Sequence, residues 1–124
     1  MSKKKPLPKC KKYRSVKQAL VGVRGILKNP NNWCEGTMAK APIRTATGEV
    51  LIELAESRGP DVVQVCLLGA QYRLICDDPE LLRQVREPVS EQCWLLFGRS
   101  TSVVNDSKGH DAVMEVLDAA IAKA

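Results

Sequence analysis

The polar residues best suited to chemistry lie between Asn105 and Asp111, where the sequence runs N-D-S-K-G-H-D. Asp106 and His110 together could serve a small hydrolase or transferase as an acid–base pair. A helix that starts here would also favour an anion such as a phosphate, because its first N–H groups have no partner within the helix. Turn chemistry explains the same residues: Asn and Asp bond their own backbone, Gly109 takes a positive φ and Asp111 caps the helix. We favour the capped turn, and we keep Asn105, Asp106 and His110 as candidate ligand-binding residues.

A second candidate for ligand binding is Trp33, followed by Glu35. The indole could stack on a ring of a ligand, but a lone Trp after a helix more often closes a hydrophobic core. Catalysis would require Trp33 or Glu35 to share a concave pocket with Asp106 and His110. The sequence favours a core position for Trp33, and we predict no catalytic residue.

The cysteines offer neither a metal site nor an obvious nucleophile. The chain has no C-x-x-C pair and a single His, so no metal and no cofactor is predicted. A nucleophilic thiol would need His110 as its base. An odd number of cysteines, partly within apolar runs, is typical of buried free thiols in a reducing compartment. The five residues are Cys10, Cys34, Cys66, Cys76 and Cys93.

The net charge of +5 is concentrated at the start of the chain. Residues 1–14 contain seven basic residues and no acid, which leaves 12 basic against 14 acidic residues in 15–124. We therefore predict a flexible basic tail over 1–14 and one helical domain over 15–124. The tail is a candidate for non-specific contact with nucleic acid through Lys3, Lys4, Lys5, Lys9, Lys11, Lys12 and Arg14. No apolar run is long enough to cross a membrane and no secretory signal is evident, so we predict a cytoplasmic protein without membrane contact.

Apolar periodicity predicts a mainly α fold, a compact orthogonal bundle of four to five helices. The first helix follows the N-cap residue Ser15 and ends before Pro30. Gly48 between β-prone flanks fits a small β-hairpin near residues 43–52, although a short helix could equally begin there.

Four further helices are expected along the rest of the chain. Residues 58–76 predict a central helix, and Asp78-Pro79 opens a helix that Pro88 should stop. The next helix, 90–98, should place Trp94 and Phe97 in the core, and residues 99–109 should form a polar turn before the last helix.

Several motifs occur in a characteristic order: W-x-x-G at 33–36, C-x-x-G-A at 66–70, N-D-x-x-G at 105–109 and V-L at 116–117. This order, over residues 15–124, resembles a family of small bacterial and viral proteins catalogued as a domain of unknown function. Lys108 and His110 depart from the proline and threonine that the family often has there, and the basic tail is not part of its pattern. The resemblance implies a compact helical fold, no assigned activity, and an association with phages or mobile elements.

Three functions are compatible with these observations. The first is a non-enzymatic binding or adaptor protein that engages a protein partner or a small phosphorylated ligand. The second is a nucleic-acid-associated protein anchored by its tail, and the third is a small hydrolase or transferase that uses Asp106 and His110. We favour the first, because one His and scattered cysteines do not complete a catalytic set.

Overall fold

The computed structural model describes residues 5–124, and its elements make a mainly helical, mixed α/β structure. The prediction of a mainly helical fold with a hairpin is confirmed in this coarser form. The helices of this part of the chain are α1 (Val16–Leu27), α2 (Leu67–Leu74), α3 (Pro79–Phe97), α4 (Thr101–Ser107) and α5 (His110–Lys123). The strands are β1 (Ala39–Arg44), β2 (Val50–Leu54) and β3 (Gln64–Val65), and a 3₁₀ turn spans Pro30–Asn32.

Helix α1 forms as its sequence predicts. The side-chain oxygen of Ser15 accepts a hydrogen bond from the N–H of Gln18 at 3.0 Å, which caps the helix start. The apolar stripe packs into the core, where Leu20 and Val23 are fully buried. The helix ends at Leu27, before the proline that disfavours helical geometry.

The three strands form one antiparallel sheet in the order β2-β1-β3. The predicted hairpin is present, with strands that reach further than expected, and Gly48 adopts a φ of +86° in its turn. The predicted helix over 58–76 is wrong in its first half, because Val65 pairs with Ala39 and the helix begins only at Leu67. β-Branched valines around this position fit a strand better than a helix.

Two further corrections concern the helices near the C-terminus. Helix α3 continues through Pro88. A proline costs one backbone hydrogen bond, but the buried Val85, Val89 and Cys93 bind the helix to the core on both sides of it. The predicted polar turn over 99–109 is wrong for Thr101–Ser107, which form helix α4. The N-cap residue of α5 is Gly109 rather than Asp111.

The core lies between the helices and the base of the sheet. Phe97 packs against it, as expected, whereas the prediction that Trp94 is a core residue is wrong: 58% of its surface is exposed. Between residues 5 and 124, no helix is long and apolar enough to cross a membrane.

The segment from Leu7 to Lys11 is attached to the domain. Leu7 is buried, and its N–H donates to the Val62 carbonyl at 2.9 Å. The N–H groups of Cys10 and Lys11 donate to the carbonyls at the end of α2. The prediction of a flexible tail over 1–14 is therefore wrong for Leu7 to Lys11, and Lys3 and Lys4 lie outside the described residues.

Arg73 holds this N-terminal segment in place. Its guanidinium is fully buried and donates two hydrogen bonds to the Leu7 carbonyl, at 2.7 and 3.2 Å. Its Nη1 donates to the carbonyls of Ser57 and Gly59. Burial lowers the pKa of the Arg73 guanidinium, since the charged form loses water. The charge is thus compensated by the three carbonyls of two separate segments.

Arg73→Met is expected to lower the free energy of unfolding by about 2–4 kcal/mol, because one buried and two partly buried carbonyls lose their donors. Chemical denaturation measures this loss, and hydrogen exchange should become faster at the amides of Leu7 and Cys10. The matched control is Arg44→Met, on an exposed side chain, with an expected effect below about 0.5 kcal/mol. Equal losses in the two variants would contradict this role for Arg73.

Two of the five cysteines are joined. Cys10 and Cys76 form a disulfide, so the prediction of free thiols is wrong for this pair, since attachment of the N-terminal segment brings Cys10 to the end of α2. It is confirmed for Cys34, Cys66 and Cys93, which are buried and free. Disulfides persist mainly in oxidising compartments, and the cytoplasmic location stays a prediction.

Candidate functional site

Residues of the short sequence motifs meet where the loop after α1, the start of α2 and helix α4 come together. We call this group the motif cluster, and its members are Trp33, Gly36, Cys66, Gly69, Asn105 and Asp106. They come from three separate parts of the sequence. The cluster therefore connects elements that are distant along the chain.

Asn105 is the centre of the cluster and is almost completely buried. Its Oδ1 accepts hydrogen bonds from Trp33 Nε1 at 2.7 Å and from the Leu67 N–H at 2.9 Å. Its Nδ2 donates to the Cys34 carbonyl at 3.0 Å and to Asp106 Oδ1 at 2.9 Å. Two acceptor sites and two donors are the full capacity of an amide side chain. Asn105 is thus committed to holding the loop, α2 and α4 together.

Asp106 holds the loop from the solvent side. The same Oδ1 accepts the N–H of Gly36 at 2.9 Å, and Gly36 adopts a φ of +80°, which favours glycine. The Asp106 side chain is exposed, so its carboxylate keeps contact with water. Asp106 therefore fixes the backbone of the loop while it remains accessible.

The start of α2 is fitted closely against the same loop. The Cys66 N–H donates to the Met38 carbonyl at 3.0 Å, and the Cys66 Sγ accepts the N–H of Gly69 at 3.2 Å. A Cβ atom built on Gly69 would lie 2.0 Å from the Met38 oxygen. Only glycine fits at this position without moving the backbone.

The two thiols next to the cluster are poor nucleophiles. Burial, followed by the nearby Cys66, raises the pKa of Cys34 to about 12. Burial also raises the pKa of Cys66. Both thiols are protonated at neutral pH, and the thiolate is the reactive form. Over residues 5–124, no group of three or more His, Cys, Asp or Glu side chains is placed to hold a metal ion.

His110 serves the packing of α5 against α1. Its Nε2 lies 2.5 Å from the Leu27 carbonyl, so this nitrogen carries the hydrogen and donates it. Its ring meets the half-buried Trp33 edge-on, with centroids 5.7 Å apart. Within the described part of the chain, no hydrogen bond joins His110 to Asp106.

A small surface cavity of about 120 Å³ lies beside the cluster. Asn105 and Asp106 line it together with Gly36, whereas Trp33, Glu35 and His110 are not among its lining residues. Its volume is below the roughly 300 Å³ at which typical ligand pockets begin. The structure thus brings Trp33, Asn105 and Asp106 together by hydrogen bonds, and it leaves Glu35 exposed at the surface.

The basic residues of the N-terminal segment that the structure describes lie at the surface. The backbone of this segment is fixed at Leu7 and Cys10. The exposed basic residues are Lys5, Lys9, Lys11, Lys12 and Arg14.

The roles of Gly69 and Arg73 could not be recognised from the sequence. The C-x-x-G-A motif was a signal for Gly69, because a glycine inside a helix suggests close packing. No local signal marked Arg73, whose partners lie 14 to 66 residues away.

The comparisons with known proteins agree with the motif order. No curated protein and no solved structure gives a significant match to the chain. A family model, described as a family of unknown function (DUF6197), matches residues 12–123. Nearly the whole chain is thereby covered, and the protein belongs to this family of unknown function.

Proposed function

We propose that the protein is a non-enzymatic adaptor that binds another protein through the surface at the end of α3. We call this the helix-end surface, and its residues are Trp94, Leu95 and Leu96 on α3 and Val103 on the adjoining helix α4. The observation that carries the proposal is the exposure of four large apolar side chains within ten residues. Exposed apolar side chains that form a contiguous patch mark interaction sites, whereas single ones need no explanation.

Trp94 is the natural anchor of this surface. Tryptophan is enriched among the residues that dominate protein–protein binding, and here more than half of its surface meets solvent. The buried Val85 and Cys93 hold α3 in the core, so the anchor sits on a rigid element. A rigid apolar anchor loses little conformational entropy when a partner covers it.

The motif cluster supports a function without catalysis. Asn105 is occupied by four hydrogen bonds, and the Cys34 thiol stays protonated at neutral pH. The polar side chain of Asn105 therefore holds elements together, and the Cys34 thiol is not available as a nucleophile. Binding through an apolar surface requires none of them.

Site-specific photo-crosslinking in cells tests the proposal. A photoreactive phenylalanine analogue at Leu95 should give discrete crosslinks to another protein, and the same analogue at Val21, an exposed apolar position on α1, should not. The partner identified by crosslinking, once purified, should bind the wild-type protein. The substitution Trp94→Ala should weaken this binding at least about tenfold. Equal crosslinks at both positions, or unchanged affinity for Trp94→Ala, would contradict the helix-end surface.

The fixed basic segment supports a second candidate function, contact with nucleic acid. Lysines held on an anchored segment lose less entropy on binding phosphates than lysines on a free tail. Such contacts read no sequence, because they reach only the backbone of the nucleic acid.

Triple substitution of Lys9, Lys11 and Lys12 by Ser tests this second function. Affinity for a DNA duplex should fall at least tenfold, and its dependence on salt should become less steep, in fluorescence anisotropy. The control removes the same charge from Lys28, Lys108 and Lys123, which are also exposed. Substitution is better than deletion, because deletion also removes the Leu7 and Cys10 contacts. Equal effects of the two triple variants would reject a specific role for the segment.

A further inference from the structure

Strand β2 is exposed along its length, and no other strand between residues 5 and 124 pairs with its outer edge. All five of its residues are exposed, including Val50, Ile52 and Leu54, and it forms the outer strand of the sheet. Natural edge strands are usually protected by lysine, proline or a bulge. Here Glu53 is the one charged residue of the strand, and β2 contains no proline. Only the short length of β2 and the charge of Glu53 therefore protect this edge against pairing with another strand.

The hydrogen-bond pattern shows which groups of β2 face outwards. The Ala55 N–H donates to the Ala39 carbonyl and the Thr45 N–H donates to the Glu49 carbonyl, so odd-numbered positions are bonded across the hairpin. Antiparallel ladders alternate, and the N–H and C=O groups of the even-numbered residues consequently point away from β1. The free edge thus presents the backbone groups of Val50, Ile52 and Leu54.

We propose that this edge pairs with β2 of a second copy of the chain, as two antiparallel strands related by a two-fold axis at Ile52. Ile52 then lies opposite Ile52 of the second copy, and Val50 lies opposite Leu54. All three outward-facing residues of each strand find backbone partners in this register. It extends the three-stranded sheet to six strands.

Charge selects both the register and the partner. In this register Glu53 lies opposite Leu51 of the second copy, whereas an axis at Glu53 would place two carboxylates opposite each other. Residues 39–55 contain two basic and two acidic residues, Lys40, Arg44, Glu49 and Glu53. Two chains with a net charge of +5 can therefore meet at the hairpin without net repulsion from the residues in contact.

The pairing is reversible. Stable complexes bury about 800 Å² on each partner, which is more than a five-residue strand offers. Pairing through the backbone of β2 does not use the helix-end surface, because Trp94 lies on α3. The dimer would carry two copies of that surface, which raises the avidity for a partner with two matching sites.

Sedimentation over a concentration series, with hydrogen exchange at each concentration, tests the inference. The expected result is a monomer–dimer equilibrium in which the amides of Val50, Ile52 and Leu54 become protected as dimer forms. The amides of Leu51 and Glu53 should not change, because they already face β1. A chain that remains monomeric, or a dimer without this alternating protection, would overturn the proposal.

Three variants separate this edge from other surfaces. Ile52→Lys should weaken dimerisation at least tenfold, because it places two like charges at the axis. Ile43→Lys adds the same charge to an exposed residue of β1 and should leave the equilibrium unchanged. Circular dichroism checks that both variants fold. If Trp94→Ala abolished dimerisation, the contact would lie at the helix-end surface and the β2 edge would be rejected. The expected result is unchanged dimerisation of Trp94→Ala, and the adaptor proposal is tested separately by crosslinking.

Discussion

Gly69→Ala is expected to lower the free energy of unfolding by more than about 3 kcal/mol, the largest effect of any single methyl group considered in this protein. The added Cβ would lie 2.0 Å from the Met38 oxygen and 2.9 Å from the Met38 carbonyl carbon. Both atoms belong to the backbone, which cannot turn away as a side chain can. The loop, the start of α2 and the hydrogen bond between Cys66 and Met38 would have to separate.

The direction of this effect is informative, because alanine normally stabilises a helix. Gly25→Ala, in α1, is the matched control: a Cβ there meets nothing within 4 Å. It should raise stability by about 0.5–1 kcal/mol. Thermal and chemical denaturation of the two variants should therefore shift in opposite directions. If Gly69→Ala were neutral or stabilising, the close approach of α2 and the loop would be wrong.

The second large effect is expected for Asn105→Asp, a change of one polar group. The amide nitrogen that donates to the Cys34 carbonyl and to Asp106 becomes a carboxylate oxygen, so acceptors face each other. The variant loses the two N–H donors of the buried Asn105 amide and gains a charge beside Asp106. Together these changes should lower the free energy of unfolding by about 3 kcal/mol. Tryptophan fluorescence should report the change at Trp33, which bonds to the same side chain.

The pH dependence gives this variant a distinct signature. Burial and the neighbouring Asp106 disfavour the ionised form, so the pKa of the new carboxyl group in the folded state lies above its unfolded value. The folded protein then binds more protons than the unfolded chain, and stability falls as the pH rises through this range. Denaturation at mildly acidic pH should therefore recover part of the loss.

Asn29→Asp is the control for the chemistry of the substitution. Asn29 is exposed and its Oδ1 accepts the N–H of Asn31, a role that a carboxylate performs equally well. The free energy of unfolding of the Asn29→Asp variant should change by less than about 0.5 kcal/mol. Similar losses at positions 29 and 105, or a loss at 105 that does not depend on pH, would contradict the central role of Asn105.

The parts of the fold that were predictable are those with strong local signals. The apolar stripe and the Ser15 cap define α1, and Gly48 between β-prone segments indicates the hairpin. The errors arose where distant contacts decide the outcome. Pro88 should end α3 by its own chemistry, but packing on both sides sustains the helix. Gln64 and Val65 form β3, rather than part of a helix, because β1 lies beside them.

The sequence indicated some residues of the motif cluster, but not what they do. The motif order marked Trp33, Asn105 and Asp106, and these residues do meet. Their spacing alone could not reveal that Asn105 uses all of its hydrogen-bonding capacity. Glu35 showed the opposite outcome, since its position next to Trp33 in the sequence does not bring it to the cavity. Side-chain direction is fixed by tertiary structure, which a motif does not encode.

The link between Cys10 and Cys76 gives this chain a property that depends on its surroundings. The two cysteines are 66 residues apart in the sequence. In the entropic model, a cross-link over this length lowers the entropy of the unfolded chain and raises the free energy of unfolding by about 4 kcal/mol. The family model begins at residue 12, after Cys10, so this constraint lies partly outside the region that the family shares. Resistance to unfolding is then set jointly by the amino-acid sequence and by the thiol–disulfide balance of the medium. Two samples of identical protein, one oxidised and one reduced, would differ in lifetime under denaturing conditions.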